Sequence, residues 1–143
     1  MSKIRTEDYN PSHLEKIRPK EIHKDSMPNQ IRSRAVSLLV DDLVLAIFGG
    51  FYVSKGVFQI WGIVSNDVRR YPVSFYKHTK SLLSFFEKKE SPRRIQIDIR
   101  VSHKDLSHWA KSLGFSPEGI MRAYESDGED CWLFAKVRPH GVG

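Results

Sequence analysis

The stretch Val57 to Phe86, VFQIWGIVSNDVRRYPVSFYKHTKSLLSFF, decides how the rest of the chain is read. Val57 to Val64 is a largely apolar run of eight residues with bulky and β-branched side chains, which predicts a buried strand. Ser65, Asn66 and Asp67 are turn formers that end it. Arg69 and Arg70 lead into a segment in which Phe75, Leu82 and Phe86, with Tyr76 and Leu83 beside them, recur at helical spacing. Pro72 falls in the first turn of that helix, where a missing N–H costs nothing. The unit is strand, basic loop, helix. A helix start offers unpaired N–H groups and partial positive charge, so with two arginines beside it this end suits an acidic, phosphate-bearing ligand.

Upstream, Arg34 to Val53 contains two apolar runs separated by Asp41-Asp42, a hairpin signal, and Gly49-Gly50 with Ser54-Lys55-Gly56 marks the next reversal. Three consecutive antiparallel strands follow from this. Nearer the start, Lys3 to Arg5 reads as a short strand and Thr6 as a helix start, and prolines 11, 19 and 28 divide the following residues into short helices, Ser12 to Ile17 and Pro19 to Lys24. Downstream, Ile95, Ile97, Ile99 and Val101 alternate with polar residues, as in a strand buried on one face. Ser102 then reads as the cap of a helix whose Leu106, Trp109, Ala110 and Leu113 share one face, and Gly114 stops it. Ile120 to Glu125 and Cys131 to Val137 read as a closing hairpin around Asp127-Gly128.

A chain of 143 residues is long enough for one domain, expected over residues 1–138 with 139–143 as a flexible tail. One cysteine, Cys131, rules out an internal disulfide framework and favours a reducing compartment. No apolar run is long enough to span a membrane, and the polar start does not resemble a secretory signal. The net charge of +6 favours acidic partners, but the basic residues are scattered and no reading element is recognisable, so nucleic acid is not expected as a specific partner. The six histidines form no His-x-x-x-His pair, and His103 and His108 sit about 140° apart around a helix, so no metal site is expected. Asp67, in a turn, and His78, on a helix, read as ordinary exposed residues and not as an assigned base; Trp61, Trp109, Trp132 and Cys131 read as packing residues.

The succession of elements, and above all the basic loop between a central strand and a helix followed by a second helix ending Leu113-Gly114-Phe115, resembles the GNAT superfamily of acetyl-CoA-dependent acyltransferases. The resemblance implies an α/β fold with a twisted, mostly antiparallel sheet splayed between its fourth and fifth strands and helices on both faces. In that family Gln/Arg-x-x-Gly-x-Gly/Ala cradles the coenzyme A pyrophosphate through backbone N–H groups. Arg69 to Ser74, RRYPVS, is the matching stretch: Arg69 fits, Ser74 stands for Gly/Ala, and Pro72 replaces the first glycine. The residues implied for acetyl-CoA, if it is bound, are Ile63, Val64, Arg69, Arg70, Tyr71, Val73 and Ser74. Ala110 falls where many members carry the tyrosine that protonates the departing thiolate, and no glutamate lies between Glu21 and Glu87 to serve as the frequent base.

Val64-Ser65-Asn66-Asp67, the altered glycine loop and the long helix also look like the small GNAT-like proteins of tailed phages, internal virion proteins among them. That implies a protein made in the host cytoplasm, packaged in a virion, and partnered by virion or host proteins. Two function classes follow: a phage accessory protein whose acetyl-transfer chemistry has eroded, or an active N-acetyltransferase on an unidentified amine.

Overall fold

A computed structural model describes residues 3–17 and 35–138. The elements are β1 (Arg5–Asp8), α1 (Pro11–Lys16), β2 (Val36–Val40), β3 (Leu43–Ser54), β4 (Val57–Val64), a 3-10 turn (Asn66–Arg70), α2 (Pro72–Glu90), β5 (Arg94–Arg100), α3 (Lys104–Ser112), β6 (Ser116–Met121) and β7 (Cys131–Val137). The seven strands form one sheet in the order β1-β2-β3-β4-β5-β7-β6. The β4–β5 ladder is parallel and the other recorded ladders are antiparallel. Parallel pairing runs only from Val57↔Arg94 to Ile60↔Ile97, although β4 continues to Val64 and β5 to Arg100. The mixed, mostly antiparallel α/β sheet expected from the sequence is therefore present, with its parallel step between the fourth and fifth strands. No helix among the described residues is long and apolar enough to cross a membrane.

The chain forms two compact units, residues 1–50 with 61–82 and residues 51–60 with 83–143. In the first, the apolar runs on either side of Asp41-Asp42 become β2 and β3, and their side chains Leu38, Leu39, Val40, Val44, Leu45, Ala46 and Ile47 are buried. Asp41 takes a positive φ of 53°, which explains why an acidic residue tolerated in the left-handed region turns the chain here. Ile17, Ala35, Leu39, Val44, Ile47 and Ile63 form a cluster against which Tyr9, Leu14 and Trp61 pack. Pairing of Leu38 with Ala46 and of Leu39 with Val44 leaves Leu45 as the extra residue of a bulge.

The N-terminal residues depart from the expectation of a helix starting at Thr6. Arg5–Asp8 is a strand instead, because it completes a ladder on Val36–Leu39 that lies far away in sequence. The helix begins after Asn10, whose side chain accepts from Ser12 N–H at 3.0 Å while the His13 ring accepts from Asn10 N–H at 3.2 Å. The short helix expected over 19–24 lies outside the described residues.

Two close approaches connect β3 and β4. A Cβ on Gly49 would stand 2.4 Å from the Trp61 ring, and one on Gly62 would stand 2.6 Å from the Phe48 ring. Each aromatic lies over the glycine of the neighbouring strand, a way of covering backbone that has no side chain of its own. The β4 run is not the fully buried strand expected: Ile63 alone in it is buried. Its aromatics instead serve half-exposed contacts, with Phe58 against Phe86 (ring centroids 4.5 Å) and Tyr52 (5.1 Å) in the second unit.

The core of the second unit comes from the alternation in β5, where Ile95, Ile97 and Ile99 are buried with Ala110, Leu113, Phe115, Phe134 and Ala135. Gly114 follows α3 at φ 98°, the left-handed stop that the sequence predicts. Ser102 does not cap α3: the helix starts after His103, and the Ser102 N–H is donated to Glu129 at 2.9 Å. The closing hairpin starts earlier than expected, with β6 over Ser116–Met121, because the residues after it are drawn into a loop by Arg100. Pro117 is tolerated there because β6 ends the sheet.

Substituting Gly62 by Ala is expected to destabilise the protein by about 1–3 kcal/mol, since the ring of Phe48 must move. The same change at Gly119, where nothing lies within 4 Å, is expected to fall within about 0.5 kcal/mol of wild type. Urea unfolding of the two variants checks both values.

Candidate functional site

The loop between β4 and α2 is built outward from the bulge in β3. The carbonyl of the extra residue, Leu45 O, accepts at 2.8 Å from the N–H of Ser65, which follows β4. The buried Ser65 hydroxyl accepts from Asp67 N–H at 3.0 Å and donates to the Asp67 carboxylate at 3.2 Å. Val68 N–H then reaches Ser65 O at 3.2 Å, and Tyr71 N–H reaches Val68 O at 2.9 Å, closing the 3-10 turn. The Tyr71 carbonyl accepts the first helical bond from Phe75 N–H at 2.8 Å. Of the residues opening α2, Pro72 has no N–H, and those of Val73 and Ser74 have no acceptor within a helix whose bonds run four residues back.

The residues implied for a cofactor fall into three kinds. Ile63 is a core residue of the first unit and Val64 is half-buried. Arg69 and Arg70 are exposed, and the Arg70 guanidinium lies 5.7 Å from the centre of the Tyr71 ring. Val73 and Ser74 are exposed at the start of α2. The loop thus gathers two arginines and two first-turn amides, while the amides of Asp67, Val68 and Tyr71 are bonded within it.

The bases considered from the sequence are engaged. Asp67 is held by Ser65, and His78 bonds Thr6 Oγ1 through Nε2, with burial lowering its pKa from the usual 6.5. Ala110 is fully buried and serves packing.

The second unit contains a cluster that the sequence did not single out. Ligand-type atoms of Asp98, Glu125 and Cys131 lie within 4.8 Å of one another. The Cys131 thiol donates to Glu125 at 3.0 Å and Gln59 Nε2 donates to Asp98 at 3.0 Å. Arg100 holds the loop that carries Glu125, meeting Glu125, Asp127 and Glu129 at 3.3, 2.8 and 2.9 Å. Burial, followed by the charge of Glu125, raises the Asp98 pKa, and burial pushes the Cys131 thiol far up. The only sequence signal was that Asp98 and Cys131 occupy strands; nothing there brings Glu125 to them. Another buried polar contact, His13 Nδ1 with Ser37 Oγ at 2.7 Å, ties α1 to β2.

Solved structures similar to this chain include acetyltransferases. Ard1 from Thermoplasma volcanium superimposes with a TM-score of 0.73 at 15% identity over 94% of this chain and 97% of that one. An acetyltransferase of the GNAT family from Bacillus anthracis gives 0.69 at 10% identity over 96% and 98%. The fold is the GNAT fold. RimL, the ribosomal L7/L12 alpha-N-protein acetyltransferase in complex with coenzyme A, gives 0.61 at 15% identity; the match covers 73% of this chain and 61% of RimL. The ribosomal-protein-S5-alanine acetyltransferase from Vibrio fischeri is likewise matched over 61% of its length. No family model and no curated protein sequence matches the chain.

In this GNAT scaffold the Asp98 cluster has a measurable electrostatic consequence. A carboxyl whose pKa is raised on folding binds its proton more tightly in the native state, so stability falls as pH rises from the usual 3.8 through the raised value. Asp98→Asn is therefore expected to raise the unfolding midpoint at pH 7 relative to wild type and to lose that advantage near pH 4, as read by thermal melts. The Cys131 thiol is expected to be inert to a thiol reagent in the native protein and to react on unfolding.

Proposed function

We propose that this protein is a GNAT-fold accessory or virion-associated protein of a tailed phage in which acetyl-transfer chemistry has been lost. The observation that carries the loss is the loop before α2. Pro72 provides no donor, and the amides of Asp67, Val68 and Tyr71 are already bonded, leaving Val73 and Ser74 for a pyrophosphate. These residues do not fit the full backbone cradle. Each absent hydrogen bond to a charged phosphate costs about 1.5–3 kcal/mol, or on the order of ten- to hundredfold in affinity.

Two further absences support the reading. Ala110 is buried where the family's acid stands, and β3 and β4 contain no carboxylate. The phage assignment rests on the resemblance of Val64 to Asp67 and the altered loop to the small phage proteins of this fold. Partners are then virion or host proteins, met at a surface rather than through turnover.

The second reading, an active acetyltransferase, draws on Arg69, Arg70 and the amides of Val73 and Ser74, and on the coenzyme A bound by RimL. Calorimetry with acetyl-CoA at low and moderate salt separates the two. The expected outcome is no saturable micromolar binding and no thiol release with a panel of amines. Micromolar binding that Arg69→Glu abolishes would replace the first reading with the second.

A further inference from the structure

The outward face of α2 is charged in one sense only. In this uninterrupted helix Lys77, Lys80, Ser81, Ser84 and Lys88 are all exposed. At about 100° per residue Lys77, Ser84 and Lys88 lie within roughly 40° of one another, with Lys80 and Ser81 on either side. At a rise of about 1.5 Å per residue the stripe runs for roughly 16 Å along the helix axis. The two carboxylates of α2 do not neutralise it. Glu87 is bound to Lys136 at 2.9 Å, and Glu90 bonds Tyr52. Among the described residues none of Lys77, Lys80 and Lys88 forms a recorded ion pair, and Lys80 lies 5.8 Å from the Tyr76 ring centre.

We infer that this face of α2 docks on the phosphate backbone of a nucleic acid, without reading its sequence. The partner class follows from what the stripe contains. Lysines with short hydroxyl donors between them, on a straight rod, match a linear array of phosphates, which are the usual targets of Lys and Ser in backbone contacts. A membrane-surface helix would need its apolar side outward, and in α2 that side, with Phe75 and Thr79, is buried. A protein partner would be expected to use a central apolar anchor, whereas the exposed apolar residues of α2, Val73 and Phe85, flank the stripe. The stripe begins at Lys77, beyond the Arg69–Ser74 loop, and the inference does not depend on whether that loop binds a coenzyme.

Fluorescence anisotropy with a labelled DNA duplex of about two helical turns tests it, over about 50 to 200 mM salt. Wild type is expected to bind with a steep salt dependence. Lys77→Gln with Lys88→Gln should weaken binding more than tenfold at low salt and make the log–log salt slope shallower by about 2. Lys104→Gln with Lys111→Gln on α3 removes the same charge and should leave the slope unchanged. Circular dichroism confirms that each variant is folded. Absence of salt-dependent binding, equal losses in the two double variants, or tighter binding of polyglutamate or of anionic lipid vesicles than of the duplex overturns the assignment.

Discussion

One hydrogen bond organises the loop before α2: the carbonyl of Leu45 meeting the N–H of Ser65. The bulge between Leu38 and Leu39 in the β2–β3 ladder leaves Leu45 as an extra residue on that side, and its carbonyl accepts from Ser65, the first residue after β4. From there each polar contact follows the last, Ser65 to Asp67, Ser65 to Val68, Val68 to Tyr71, Tyr71 to Phe75. The same chain of bonds that makes the turn well defined also takes up amides that a phosphate would require.

The second unit is governed by a different constraint, the charge on Arg100. A guanidinium has five donors and no acceptor, and here it meets carboxylates from three positions of the β6–β7 loop. β6 lies at Ser116–Met121, N-terminal to its sequence pattern, and those contacts hold Glu125 beside Asp98 and Cys131. Burial, and after it the charge of Glu125, makes Asp98 harder to ionise than an exposed aspartate.

How much of this the sequence disclosed depended on the range of the interaction. The strand–loop–helix unit from Val57 to Phe86, the alternation of Ile95, Ile97 and Ile99, and the stop at Gly114 are local patterns, and all were legible. Arg5–Asp8 was not, because its strand character comes from residues near Val36 that no window around Thr6 contains. The start of β6 at Ser116 was hidden for the same reason: Pro117 and Gly119 have poor strand propensity and pair because β7 lies beside them. At the loop the sequence identified Arg69, Arg70, Val73 and Ser74 and the missing donor at Pro72, but the internal use of the Val68 and Tyr71 amides required coordinates. Glu125 was invisible as a neighbour of Asp98 because Arg100, two positions from Asp98 but 25 from Glu125, supplies the attraction through space.

The paired approaches of Trp61 to Gly49 and of Phe48 to Gly62 carry a consequence for how this sheet can change over time. Each small residue is small because a specific ring covers it, and each ring has room because the residue beneath it is small. Neither member can be exchanged freely while the other stays. In descendants of this sequence, enlargement at position 49 or 62 should be accompanied by a smaller side chain at 61 or 48, so the four positions constitute two inherited couples rather than four independent sites.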